Sequence, residues 1–297
     1  MLVELAVGDA YGAGFEYADT EFVRAHNTLS AYVQHPRHHG MKPGHYSDDA
    51  QMSIAVTEVI ISGLPWTQKK LADSFVRCFR RDQREGYARG FYSFLCSVRN
   101  GDDFLARIKP DSDKSGAAMR AIPVGIYPTI PEVISRCTLQ AAITHDTPDG
   151  INAAVAAALS SHYFLYRLGP KRDLGRFLED NVPGQWAKPW SGKVGSKGWM
   201  SVRAAVTAIH SCSRMSDLLR FCVDFTGDVD TVATIALGAA SASSEVKQDL
   251  PAHLHCGLEN GRFGLYYLSR LDSRLGQRMQ ELGCAARGRR SSTSTAD

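Results

Sequence analysis

Two short acidic clusters lie far apart in the chain, Ser47-Asp48-Asp49 and Asp228-Val229-Asp230-Thr231, and each runs straight into an apolar stretch with helical spacing. One such cluster is ordinary, because Ser47 reads as an N-cap and acids in the first turn complement the helix dipole. Two clusters of the same design ask for more, and Gly227 ahead of the second gives the backbone freedom for a tight turn. Carboxylates beside hydroxyls are the donors a hard cation takes, either in an octahedral shell or as a two-metal clamp. Neither cluster contains His or Cys, which argues against zinc. A fold that uses both must bring remote aspartates to one point.

The rest of the chain is read as helical, with little β-type alternation. Helices are expected near 47–62, 67–82, 87–99, 130–143, 149–168, 199–211, 215–224, 229–244 and 259–273, separated by Gly, Pro and Asn. Within the fifth, Ile151, Ala154, Val155, Ala158, Leu159 and Leu165 fall on one stripe, as a core-facing helix requires. After Asp230 the small residues Ala233, Ala236, Gly238, Ala239, Ala240 and Ala242 would let neighbouring helices approach closely, so this segment is expected at the centre. The expected fold is all-α, a compact single-domain orthogonal helical bundle over residues 1–284, with a binuclear metal cleft and a disordered Arg/Ser/Thr-rich tail at 285–297. Val182 to Gly198, rich in Pro, Gly and Trp, is expected as an ordered loop beside the core.

Composition narrows the partners. With 44% apolar residues the chain can bury a large core, and 34 Lys+Arg against 31 Asp+Glu leave no global field to draw in nucleic acid or an anionic membrane. Seven cysteines, an odd number without C-x-x-C spacing, suit reduced thiols in a cytoplasm. No stretch approaches a membrane span, and Glu4 and Asp9 stand where a signal peptide needs a basic region. A cytoplasmic monomer is the expectation.

Further constellations have competing readings. Gly8-Asp9-Ala10-Tyr11-Gly12-Ala13-Gly14-Phe15-Glu16 is either a Gly-rich turn that approaches a ligand, adding two acids to the other four, or a helix C-terminus. Asp111-Ser112-Asp113-Lys114-Ser115-Gly116 begins like a calcium loop, but Ile122 occupies the position that needs Glu. It reads better as a loop opening a short helix at 117–120, with backbone N–H groups able to hold a phosphate. His35, His38, His39 and His45 fit no zinc spacing and are read as surface residues, and Arg77, Arg80, Arg81, Arg84 and Arg89 as a solvated helix face. His145 either lines a pocket or caps a helix.

In this order, Gly8-Asp9-Ala10-Tyr11-Gly12 with Glu16, Tyr46-Ser47-Asp48-Asp49-Ala50-Gln51-Met52, Ser115-Gly116-Ala117-Ala118-Met119-Arg120, Thr144-His145 and Gly227-Asp228-Val229-Asp230-Thr231 resemble the ADP-ribosylglycohydrolase family, over roughly residues 3 to 273. The resemblance implies an all-α fold with two Mg²⁺, or Mn²⁺, at the base of a cleft for ADP-ribose. Ser47, Asp48, Asp49, Asp228, Asp230 and Thr231 would then be the metal ligands. Glu16 would lie on a loop closing over them, and Glu16 or Asp49 would act as catalytic base. Ser112, Ser115 and Gly116 would line the diphosphate site, His145 would contact the distal ribose region, and Asp9 would match a family acid near the metals, counted among the substrate-binding residues. The implied activity is Mg-dependent removal of ADP-ribose from a modified protein side chain, arginine first; serine-linked or O-acyl-ADP-ribose and a non-catalytic binder are the alternatives. Departures from the pattern are Ser47 for the usual Thr, Ser115 for a common Asn and Thr226 for the first Gly of Gly-Gly-Asp.

Overall fold

The computed structural model describes residues 1–293, with side chains to Cys284, so the expected disordered tail at 285–297 lies outside the fully described residues. Fourteen α-helices follow in order: α1 Leu2–Ala13, α2 Thr20–His26, α3 Asp48–Ser62, α4 Gln68–Arg81, α5 Arg89–Ser97, α6 Gly101–Arg107 and α7 Ile130–Ala142. They continue as α8 Pro148–Leu165, α9 Leu174–Asn181, α10 Gly198–Ser211, α11 Met215–Asp224, α12 Val229–Ala240, α13 Ala252–Gly257 and α14 Leu265–Thr293. Among the described residues β-structure is limited to isolated bridges, so the all-α expectation holds. No described helix is long and apolar enough to cross a membrane.

Local chemistry explains the boundaries. Ser47 caps α3 by accepting from Asp49 N–H, and Gly63 ends that helix at φ +67 in the left-handed region. Thr129 and Thr147 cap α7 and α8, each with a proline in the first turn where its missing N–H costs nothing. The expected helix at 259–273 is displaced: Pro251 opens α13, and the Glu259–Gly264 segment is a turn before α14. The short helices α2, α6 and α9 were not anticipated, since fewer than three turns give too little periodicity to read.

Helix α12 is the axis of the bundle, with every residue from Val229 to Ala240 buried. It packs on α1, and here the glycines of the first motif take a different role from the expected turn. Gly8 and Gly12 sit inside α1, one turn apart, where a Cβ would stand 2.7 Å from Ala233 O and 2.5 Å from Asp230 Cα. Their missing side chains let the two backbones touch, which brings the end of α1 against the start of α12. The 182–197 segment is an ordered loop, as expected. Trp186 is buried, and Val194 braces the second acidic cluster: its N–H donates to Thr226 O at 2.9 Å and its O accepts from Asp228 N–H at 3.1 Å.

Candidate active site

The N-termini of α3 and α12 meet at the floor of one cavity of about 290 Å³, and the loop after α1 forms part of its wall. Asp48, Asp49, Asp228, Asp230, Thr231 and Glu16 all line it. Glu16, Asp228 and Asp230 each offer a carboxylate oxygen within 4.8 Å of the others. Glu16, expected on a covering loop, thus belongs to the acidic centre itself.

Such a group of acids is unfavourable to charge. Burial, then the charges of Asp228 and Asp9, push Glu16 up to about 8. Asp48, Asp49 and Asp230 are raised well above the usual carboxylate range, first by burial and then by their acidic neighbours. Asp228 is raised less freely because Ser201, Thr231 and Ser115 hydroxyls stabilise its charge against burial, and Ser201 Oγ donates to its Oδ2 at 2.8 Å. Asp49 Oδ2 and Asp230 Oδ1 are buried with no hydrogen-bond partner. Unpartnered carboxylate oxygens at a confluence of oxygen-only donors fit divalent cations of the Mg²⁺ type.

Two of the expected site residues stand behind the wall. Asp9 was expected among the substrate contacts, but its carboxylate is buried and used up inside the protein. It accepts from Ser47 N–H at 3.0 Å, Ser47 Oγ at 2.7 Å and Ala50 N–H at 2.8 Å, and burial still pushes it up to about 6. Asp9 therefore clamps the start of α3 from α1. Ser47, an expected ligand, does not reach the cavity wall, because its hydroxyl bridges Asp9 and Asp49 N–H.

The remaining candidates are together. Ser112, Ser115, Gly116 and His145 line the cavity, with Lys109 and Lys114 beside them as cations suited to a diphosphate. His145 resolves toward the pocket reading, with Gly116 opposite its ring: a Cβ there would stand 3.1 Å from Cε1 and 3.3 Å from Nε2. Sequence reasoning missed Lys109, Lys114, Tyr17 and Gly86, whose importance comes from where the fold puts them. Gly86, at φ +104, leaves room for Asp48; a Cβ there would collide with Asp48 Oδ1.

Two surface expectations are corrected nearby. His35 is 1% exposed, and it holds the Glu16 loop by its ring. Arg84, beyond the end of α4, is 8% exposed, ion-paired with Glu259 and Asp82 and stacked over Tyr46, and half-buried Arg81 pairs with Glu58, whereas Arg77, Arg80 and Arg89 are exposed as the solvated-face reading expects.

Comparison with known proteins gives the family. The ADP-ribosylhydrolase ARH3 of Xenopus tropicalis is 24% identical over 254 residues, 66% of this chain and 73% of its own length. That of Homo sapiens is 23% identical over 244 residues, 71% of this chain and 66% of its own. The ADP-ribosylarginine hydrolase Tri1 of Serratia proteamaculans (strain 568) is 19% identical over 251 residues, covering 78% and 67%. A solved ADP-ribosylglycohydrolase-related protein complex shares the fold, with a TM-score of 0.72 at 20% identity over 95% of this chain and 96% of that one. The family model described as ADP-ribosylglycohydrolase matches residues 1–284, and the chain belongs to that family of hydrolases acting on ADP-ribose linkages.

Proposed function

We propose that this chain hydrolyses the glycosidic bond between the anomeric carbon of ADP-ribose and a protein side chain, arginine first, with two Mg²⁺ as resident cofactors and Mn²⁺ as the substitute. The observation that carries the reading is the meeting of Glu16, Asp228 and Asp230 within 4.8 Å at the floor of a cavity also lined by Asp48 and Asp49. Asp48, Asp49, Asp228, Asp230 and Thr231 would hold the ions, with Ser47 behind them. Bound cations supply positive charge that orients the ribose hydroxyls and lowers the pKa of water.

The barrier is formation of an oxocarbenium-like centre and departure of the acceptor. Ser112, Ser115 and Gly116, with Lys114 and Lys109 beside them, would receive the diphosphate, and His145 the distal ribose region; this fixes the anomeric carbon over the carboxylates. The Glu16 or Asp49 carboxylate takes the proton of the attacking water. An acidic floor favours a cationic guanidinium acceptor over a neutral hydroxyl, and the similarity to an ADP-ribosylarginine hydrolase supports the same preference.

The test is release of ADP-ribose from arginine-modified and serine-modified protein by wild type, Asp48→Asn and Asp230→Asn. Wild type should act faster on the arginine linkage, and both variants should lose activity while keeping their helical content. Equal turnover by the variants removes the cation reading, and faster release from serine removes the arginine preference. A non-catalytic binder would hold ADP-ribose in calorimetry and release none from either protein.

A further inference from the structure

Arg120 is among the largest fully buried side chains and has no ion pair among the described residues. It is tied instead to neutral acceptors: its Nε donates to Gln140 Oε1 at 2.7 Å, and its Nη2 to Gln140 O at 3.0 Å and Thr144 Oγ1 at 2.8 Å. The guanidinium also lies over the Phe75 ring, 4.6 Å from its centroid. A buried cation held this way is costly, and a place beside the cavity suggests what it serves.

Thr144 Oγ1 lies 2.7 Å from His145 Nδ1. A guanidinium has only donors, so Oγ1 must accept from Arg120. The hydroxyl's single hydrogen is then free to point at Nδ1; in that arrangement Nδ1 accepts and the imidazole proton sits on Nε2. That nitrogen is on the ring edge facing Gly116, inside the cavity. The charges that act on the ring are those of Arg120 and Asp113; burial, then Arg120, hold His145 down to about 3 against the opposing pull of Asp113.

We propose that Arg120 and Thr144 are positioning residues that lock His145 as its neutral Nε2–H tautomer, giving the cavity a permanent hydrogen-bond donor for an acceptor oxygen, phosphate or ribose, of ADP-ribose. The proposal rests on ADP-ribose being the ligand. A neutral, donor-only nitrogen binds an anionic oxygen without exchanging a proton with it, so the contact keeps its strength across the physiological pH range. With the other tautomer the same nitrogen would present a lone pair to the ligand and repel it.

The experiment is ¹⁵N NMR of the full chain labelled on histidine, with His145 assigned by its loss in His145→Gln, together with calorimetry of ADP-ribose. Wild type should show His145 with Nε2 protonated and Nδ1 bare, unchanged between about pH 5 and 8. Thr144→Val, which keeps the volume and removes the hydroxyl, should mix the tautomers and weaken ADP-ribose binding about tenfold, the order expected when a donor to a charged oxygen is lost. Thr144→Ser should restore both. A wild-type ring protonated on Nδ1 or titrating near neutrality overturns the proposal without any variant. So does Thr144→Val binding as tightly as wild type with the spectrum unchanged. Wild type that shows the Nε2–H tautomer but binds no ADP-ribose overturns the ligand, and the fault then lies in the functional reading rather than the relay.

Discussion

His35 Nε2 lies 2.7 Å from the backbone carbonyl oxygen of Glu16. The His35 Nδ1 accepts from Arg37 N–H at 3.0 Å and His38 N–H at 2.9 Å, so Nε2 carries the proton and donates. Arg37 in turn donates to Tyr17 O, and Tyr17 N–H donates to Gly227 O at 2.8 Å. Tyr17 itself is held at φ +49, a left-handed conformation costly for a residue with a Cβ. The loop that carries Glu16 is thereby fastened at the Glu16 carbonyl and at both backbone polar groups of Tyr17. His35→Ala strips partners from a carbonyl and two N–H groups and should cost about 1–3 kcal/mol, with ADP-ribose release falling as Glu16 loosens. Thermal unfolding measures the first effect, and an unchanged midpoint would contradict it; His35→Gln, which keeps a donor, should recover part of both.

Gly86 and Asp48 cannot both stay where they are once a side chain is added at 86. A Cβ there meets Asp48 Oδ1 and comes within 2.8 Å of Ser47 Cβ, and the backbone at φ +104 is one that L-residues rarely adopt. Gly86→Ala should therefore move Asp48 and reduce activity by at least about tenfold, since small misplacements at a reacting centre are costly. Circular dichroism should show the helices retained. Full activity would mean that Asp48 is not needed where it stands.

The acidic centre gives stability a definite dependence on pH and cations. Carboxylates whose folded pKa is raised bind more protons in the folded than in the unfolded chain above their unfolded pKa, so stability falls as pH rises through that window. With Asp9 pushed to about 6 and Glu16 to about 8, the window runs from the ordinary carboxylate range up to about 8. On the proposed function Mg²⁺ would take the place of the protons, so it should raise the unfolding temperature more at pH 8 than at pH 5, and chelation should destabilise more at the higher pH. Midpoints with Mg²⁺ and with EDTA at the two pH values measure this, and a cation effect independent of pH would count against it.

Thr226 occupies the place of a usual glycine and pays in backbone strain. Its φ is +62, held by donation from its N–H to Val223 O at 3.1 Å and from Val194 N–H to its own O at 2.9 Å. Relief of a left-handed Cβ, about 1–2 kcal/mol, exceeds the entropy that glycine adds to the unfolded chain, about 0.5–1 kcal/mol. Thr226→Gly should raise stability by roughly 0.5–1 kcal/mol in a denaturant titration. A loss of stability would show that the threonine side chain contributes contacts that outweigh the strain.

Several helices are legible in their apolar spacing and end signals: Met215–Asp224 falls where the periodicity sets it, and α3 begins after Ser47, which reads as its cap. The acids of the centre were legible too, from donor chemistry and motif order. What could not be read was which neighbours complete them. Gly86, Lys109, Lys114 and His35 carry no local signal, and nothing near Arg120 in sequence says that a cation will be buried beside a pocket.

Sequence by itself determined the helical class, the core-facing stripes and the two carboxylate-bearing helix starts, because these follow from side chains a few residues apart. The tertiary structure decided that Asp9 fastens α3 instead of facing a ligand, and that Glu16 joins Asp228 and Asp230. Those outcomes depend on how closely α1 and α12 approach, which Gly8 and Gly12 permit only once their partner helix is in place. Spacing along the chain sets direction within one helix; distance between helices is set by packing.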